Sequence, residues 1–92
     1  MIKYTTTTLK KLEKIYEEFE YVVRYEKGSF KSGYCIVETK NIVVVNRFFD
    51  TEARISCLID ILSYIKYDVE KLTEKSLDFY KKIQKMTAEE EN

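Results

Sequence analysis

Apolar residues recur at alternating steps of three and four from Ile55 to Met86. This spacing is the heptad pattern of a helix that packs along a narrow apolar line. No glycine or proline interrupts it, so the pattern fits either one long helix or two helices in series. Its members, of which only Ser76 is not apolar, are Ile55, Leu58, Leu62, Ile65, Val69, Leu72, Ser76, Phe79, Ile83 and Met86.

The second half of this pattern is narrower than the first half. Ile59 and Ile61 widen the apolar stripe in the first half, as expected for a helix that covers a sheet. Charged residues surround the second half, so a second helix must cover it, either the first helix of the same chain or the same helix of a second chain. The candidate residues of this C-terminal seam, which would hold a homodimer, are Val69, Leu72, Phe79, Ile83 and Met86.

The first third of the chain also has helical spacing. Leu9, Leu12, Tyr16 and Phe19 are separated by steps of three, four and three, which predicts a helix over residues 8–20. Thr8 is the expected N-cap of this helix because its hydroxyl can accept a hydrogen bond from the first turn.

Three strands are predicted between the first helix and the heptad pattern. Residues 21–26 alternate between apolar and polar, and residues 34–38 read as the returning strand of a hairpin. Gly28 and Gly33 mark the turn between them. Residues 42–46 are apolar on both faces, which places this strand in the centre of the sheet or under a helix.

These patterns predict one α+β domain over residues 1–92, with the ends at 1–7 and 87–92 frayed. The expected order is an N-terminal helix, a three-stranded antiparallel β-meander, and one long or two consecutive C-terminal helices. The C-terminal helical segment is expected to begin at Asp50-Thr51-Glu52, where a capping side chain precedes an acidic first turn.

The charge and the cysteine content bear on location. Sixteen basic and sixteen acidic residues give a formal net charge of zero, so no global field attracts nucleic acid or an anionic membrane. The chain has no apolar run of signal-peptide or membrane-span type, for which ~20 apolar residues are needed. Two cysteines without an export signal predict reduced thiols and a cytoplasmic location, with no membrane association.

The residue types argue against several kinds of catalysis. The chain has no histidine, which removes the usual Ser-His and Cys-His pairs and most catalytic zinc sites. We expect no metal and no cofactor. Cys35 and Cys57 are expected to be small buried hydrophobic residues, and Asp60 to lie on the solvent face of its helix. An enzyme that uses one of these cysteines or Asp60 is the least favoured function.

The segment from Arg24 to Tyr34 interleaves basic and aromatic residues around a glycine-bounded turn. Such a hairpin could stack a base or ring while its basic residues meet phosphate or carboxylate. Alternatively, Phe30 and Tyr34 fold back onto the core, and the lysines only solubilise the edge strand. The ligand or partner candidates are Arg24, Tyr25, Lys27, Phe30, Lys31, Tyr34 and Arg47.

Two resemblances extend this interpretation. Residues 24–35, 42–46 and 50–55 resemble a small uncharacterised family of bacterial proteins, chiefly from Bacteroidetes, which implies a cytoplasmic bacterial protein and brings no activity with it. The run Val43 to Tyr64 is similar in layout to compact zinc peptidases. With Arg54 in the place of the arginine that often precedes their motif, Ile59, Asp60 and Ser63 stand where His, Glu and His would be, so no metal ligand remains.

The leading hypothesis is therefore a non-catalytic protein-interaction module that forms a homodimer through the C-terminal seam. The first alternative is a binder of nucleic acid or of a small anionic ligand through the basic-aromatic hairpin 24–34. The second alternative is the small enzyme that uses a Cys or an Asp.

Overall fold

A computed structural model of the chain describes residues 2–28 and 33–91, and it has the predicted α+β composition. An N-terminal helix precedes a three-stranded sheet, and further helices follow. Within the described residues, no helix combines the length and the apolar character needed to cross a membrane. The elements are α1 (Thr6–Glu18), β1 (Val22–Glu26), β2 (Tyr34–Val37), β3 (Ile42–Asn46), α2 (Thr51–Ile61) and α3 (Glu74–Glu91), with short 3-10 turns at Glu38–Lys40 and Val69–Lys71.

Helix α1 confirms the first predicted helix but not its cap. The hydroxyl of Thr5, not that of Thr8, accepts a hydrogen bond from the first turn, and its donor is the Thr8 N–H at 3.3 Å. Thr8 is buried inside the helix. The prediction of Thr8 as N-cap is wrong because the four consecutive threonines offer the same capping chemistry, and packing selects among them.

The sheet is mixed, so the predicted antiparallel meander is wrong. Its strand order is β1-β3-β2, with β3 parallel to β1 and antiparallel to β2. The predicted hairpin partners β1 and β2 run in opposite directions, but β3 lies between them. The prediction that β3 occupies the centre of the sheet is confirmed, and Val43 and Val45 are fully buried. Strand β3 is the most apolar of the three strands, so more apolar area is buried when it lies between β1 and β2 than when it lies at an edge.

The described residues on either side of the connection from β1 to β2 are bonded to the end of the central strand. There the Asn46 N–H donates to the Gly33 carbonyl at 2.9 Å, and the Arg47 N–H donates to the Glu26 carbonyl at 3.1 Å. At the opposite end of the sheet, Asn41 takes a left-handed φ of 53° and turns the chain from β2 into β3. Asparagine tolerates this conformation better than most residues do.

Alternation along the strands gives the sheet two different faces. The inward residues belong to the hydrophobic core together with α1 and α2; they are Val23, Tyr25, Tyr34, Ile36, Val43 and Val45. We name the opposite side the outer sheet face, and its residues are Val22, Arg24, Glu26, Cys35, Val37, Ile42, Val44 and Asn46. The expectation that Cys35 is buried is wrong, because it lies on the outer sheet face and is exposed.

The heptad pattern is divided between α2 and α3. Helix α2 begins after the predicted cap Asp50, whose carboxylate accepts from the Ala53 N–H at 2.9 Å. Residues 62–73 then separate the two helices and include Val69, in a 3-10 turn, and Leu72. Helix α3 packs against α1. Within one chain, α1 therefore covers part of the second half of the pattern.

A buried hydrogen bond joins α1 to α2 beneath the sheet. The Tyr16 side chain is fully buried, and its hydroxyl donates to the Leu58 carbonyl at 2.5 Å. Burial, and then the nearby Tyr67, raise the pKa of this phenol well above its usual value, so it stays a donor. The bond satisfies a polar group that would otherwise be costly to bury.

We predict that Gly33→Ala destabilises the fold by at least about 2 kcal/mol. Gly33 has a φ of 87°, and an added Cβ would overlap the Phe49 ring. Urea unfolding of Gly33→Ala in the native background and in a Phe49→Leu background separates the two causes. We expect a smaller cost in the Phe49→Leu background, where the ring is gone but the left-handed φ remains. Equal costs in both backgrounds would contradict the overlap.

Candidate functional site

A groove of about 620 Å³ lies between α1 and α3. The two helices are antiparallel, since Glu18 contacts Ser76 whereas Lys11, earlier in α1, contacts Phe79, later in α3. We name this site the lysine groove. Its lining residues are Thr7, Lys10, Lys11, Lys14, Glu18, Thr73, Lys75, Ser76, Asp78, Phe79 and Lys82.

The lysine groove combines an aromatic floor with a basic rim. Phe79 is half-buried, and the Lys11 ammonium lies 5.5 Å from the centroid of its ring. The five lysines and two acids of the lining give a formal local charge of 5 − 2 = +3. Because the whole chain has a net charge of zero, this is a local concentration of positive charge.

One of the two acids of the lysine groove holds the groove together. The Glu18 carboxylate accepts from the Thr73 N–H at 2.7 Å and from the Ser76 hydroxyl at 2.8 Å. Thr73 in turn caps α3, since its hydroxyl accepts from the Ser76 N–H at 3.3 Å. Glu18 therefore joins the end of α1 to the start of α3.

The hydrogen bonds of Glu18 control its ionisation. Desolvation would raise the pKa of its carboxyl, but the bonds from the Thr73 N–H and from the Ser76 and Thr73 hydroxyls outweigh it and lower the pKa below 4.5. Nearby, the exposed Glu20 accepts from Lys71. The Glu18 carboxylate is thus hydrogen-bonded to the N-terminus of α3, and the other acid of the lining is Asp78, within α3 itself.

The residues of the C-terminal seam lie mainly against the core of their own chain. Ile83 is 1 % exposed, and the half-buried Leu72 packs against the same core. Phe79 forms the floor of the lysine groove, and Met86 borders a smaller pocket of about 380 Å³. Val69 is half-buried in its 3-10 turn. A homodimer through these five residues stays a prediction.

Arg24 and Tyr25, from the predicted hairpin, lie on opposite faces of the sheet. Arg24 is on the outer sheet face, with its guanidinium 4.0 Å from the Glu26 carboxylate. Tyr25 points inward, donates its hydroxyl to Glu13, and lies under the Arg54 guanidinium at 4.2 Å. The two residues therefore do not share one binding surface.

The remaining basic-aromatic candidates are also dispersed. Lys27 is exposed just after β1, and Arg47 lies over the exposed ring of Phe48, 5.0 Å from its centroid. Phe30 and Lys31 lie outside the described residues. Tyr34 joins the inner face of the sheet to α2, where its hydroxyl donates to the Asp60 carboxylate at 2.8 Å. Its aromatic ring is thus part of the fold.

Two of the candidate catalytic residues, Cys57 and Asp60, are near each other on α2 but poorly suited to nucleophilic chemistry, whereas Cys35 lies on the outer sheet face. Burial, and then the neighbouring Asp60 carboxylate, raise the pKa of the half-buried Cys57 thiol. A reactive thiol needs the opposite shift. Desolvation, followed by the Asp60 contact, raises the pKa of Tyr34 to about 12. Among the described residues, no group of three or more Cys, Asp or Glu side chains is arranged to hold a metal ion.

The sequence interpretation missed the lysines of the groove. In the sequence these lysines stand out only as part of the charged faces beside the apolar stripes. The available signal was that both helices carry lysines beside an apolar stripe. That signal becomes a site only when the two helices are known to pack antiparallel.

Comparison of the chain with protein-family models, with curated proteins and with solved structures finds no match in any of the three. The resemblances to the Bacteroidetes family and to zinc peptidases therefore stay predictions. Inference of function rests on the geometry of the molecule itself.

We predict that Glu18→Gln destabilises the fold by about 0.5 to 2 kcal/mol at pH 7, because the charged acceptor for the α3 N-terminus is lost. The pKa of the Glu18 carboxyl is lower in the folded state than in the unfolded state. Its contribution to stability is therefore fully present at pH values above the unfolded-state pKa, and it is lost as the pH falls through the folded-state pKa. Urea unfolding from pH 7 to pH 3 should therefore show the two proteins converging. Glu17→Gln, at the exposed neighbouring position, should change stability little. If Glu17→Gln lowered stability as much as Glu18→Gln does, the stabilising role of the Glu18 hydrogen bonds to α3 would be contradicted.

The thiols should react with iodoacetamide at different rates. We expect fast modification of the exposed Cys35 and slow modification of Cys57, whose raised pKa leaves little thiolate at pH 8. Mass spectrometry of timed samples measures both, and Cys35→Ser should leave only the slow phase. Faster reaction of Cys57 than of the urea-unfolded chain would instead revive the catalytic hypothesis.

Proposed function

We propose that this chain is a non-catalytic protein-interaction module whose lysine groove receives an acidic amphipathic helix of a partner protein. The observation that supports the proposal is the combination of an apolar floor at Phe79 with five lysines on the rim. A helix lying in a groove is a recurring form of recognition, with apolar side chains inserted and polar ones at the edges.

The chemistry of the partner follows from the two parts of the groove. The Phe79 ring and the methylene stems of the lysines favour leucine-like side chains. The ammonium groups at the rim favour carboxylates, and Asp78 disfavours a continuous row of phosphates. An acidic helix with one apolar stripe satisfies both parts at once.

Two features make the alternative functions less favoured. Of the residues proposed for nucleic-acid binding through the segment 24–34, Arg24 and Tyr25 point to opposite faces of the sheet, and Tyr34 is bonded to Asp60 on the inner side. The raised pKa of Cys57 and the hydrogen bond between Tyr34 and Asp60 disfavour an enzyme that uses these groups. A homodimer through the C-terminal seam is a less favoured form of the interaction module, because Ile83 belongs to the core.

Fluorescence anisotropy with a labelled helical peptide, Leu on one stripe and Glu elsewhere, tests the proposal at low salt. We expect saturable binding and a roughly fivefold to tenfold loss of affinity in Lys11→Glu/Lys82→Glu, because two favourable rim charges are reversed. Phe79→Ala should weaken binding separately, through the floor.

The matched control is Lys27→Glu/Lys40→Glu, which makes the same change in net charge at exposed positions outside the groove. It should bind the acidic peptide almost as the native chain does, and a peptide with Lys in place of Glu should not bind. An equal loss of affinity in both double variants would show a non-specific charge effect and refute the site. Tighter binding of single-stranded oligo(dT) than of the peptide would identify the groove as a nucleic-acid site instead.

A further inference from the structure

The outer sheet face carries apolar side chains in adjacent rows. Strand register places Val22, Ile42 and Val37 in one row across the three strands. The next row contains Val44 between Arg24 and Cys35. Val22 is 50 % exposed, and none of the residues of this face belongs to the core cluster. The helical layer packs on the other side of the sheet.

Such a face is unusual for a sheet with one side in water, where polar residues normally alternate with apolar ones. Strand β3 instead presents Ile42 and Val44 outward while Val43 and Val45 point into the core. Apolar residues on both sides of a strand are typical of a sheet that is covered on both sides. The outer sheet face therefore has the composition of a face that another surface covers.

We propose that a second copy of the chain covers the outer sheet face, so that two sheets pack face to face around a twofold axis. Charge supports this occupant. Arg24 and Glu26 pair with each other within one chain, so the face has no net charge, and its own copy can cover it without an unmatched charge. The apolar rows then meet apolar rows, as in a β-sandwich.

The size of the face sets the expected strength. Three strands about 4.8 Å apart and five residues long form a patch of roughly 15 by 16 Å. This is below the area of about 800 Å² per partner in a standard stable interface. We therefore expect a weak dimer that is populated only at high protein concentration.

Sedimentation equilibrium under reducing conditions, from about 10 µM to 1 mM, tests the proposal over the concentration range of a weak dimer. We expect the mass to rise from 11.0 kDa toward twice that value. Val22→Lys should remain monomeric throughout, because it buries a charge in the interface. Its side chain is already half in solvent, so the melting curve should be preserved. Gln84→Lys, which adds the same charge at an exposed position on α3, should dimerise like the native chain.

A chemical cross-link provides the second readout. Cys35 lies beside Val44 on the outer sheet face, so a short bismaleimide should join two Cys35 thiols in a Cys57→Ser background. Adding Val22→Lys should abolish this cross-link. A chain that stays monomeric to 1 mM with no cross-link overturns the proposal. A dimer that survives Val22→Lys and is lost in Phe79→Lys also overturns it, and places the interface at the C-terminal seam.

Discussion

The insertion of β3 between β1 and β2 is the constraint on which the other features depend. It places β1 and β2 at opposite edges of the sheet, and Gly33, just before β2, packs against Phe49. It also sets the register that sends Val43 and Val45 to the helices and Ile42 and Val44 to the opposite side. One strand thus determines both the core and the outer sheet face, since side chains alternate along it.

The helical layer depends on a polar contact rather than on apolar area alone. Helix α3 is separated from α2 by twelve connecting residues, 62–73, and its position against α1 is fixed where Glu18 meets Thr73 and Ser76. Phe79 lies one turn further along α3, beside Lys11. The lysine groove exists because the antiparallel pairing brings lysines of two helices to the same rim.

Local periodicity predicted the helices and strands, because alternation and 3.6-residue spacing are properties of short segments. The apolar residues on both faces of β3 also indicated a place in the centre of the sheet or under a helix, whereas the predicted meander puts β2 in the centre. Strand order is a long-range property, and the density of apolar residues in β3 was the better guide. Cys35 is exposed because side chains alternate along β2, so that Tyr34 and Ile36 point to the core and Cys35 to the outer sheet face. The groove depends on helix pairing, which no local pattern contains.

The two proposed surfaces lie on different layers of the molecule. The lysine groove belongs to the helices, and the outer sheet face is on the far side of the sheet from them. A dimer through the sheets would therefore leave both grooves open and turn two weak single sites into one bivalent receptor. A partner with two acidic helices would then bind more tightly than one helix, because the second contact is intramolecular. The small interface between the sheets is weak alone, and so is the contact of each lysine groove with one helix. In such a dimer the two kinds of contact would act together.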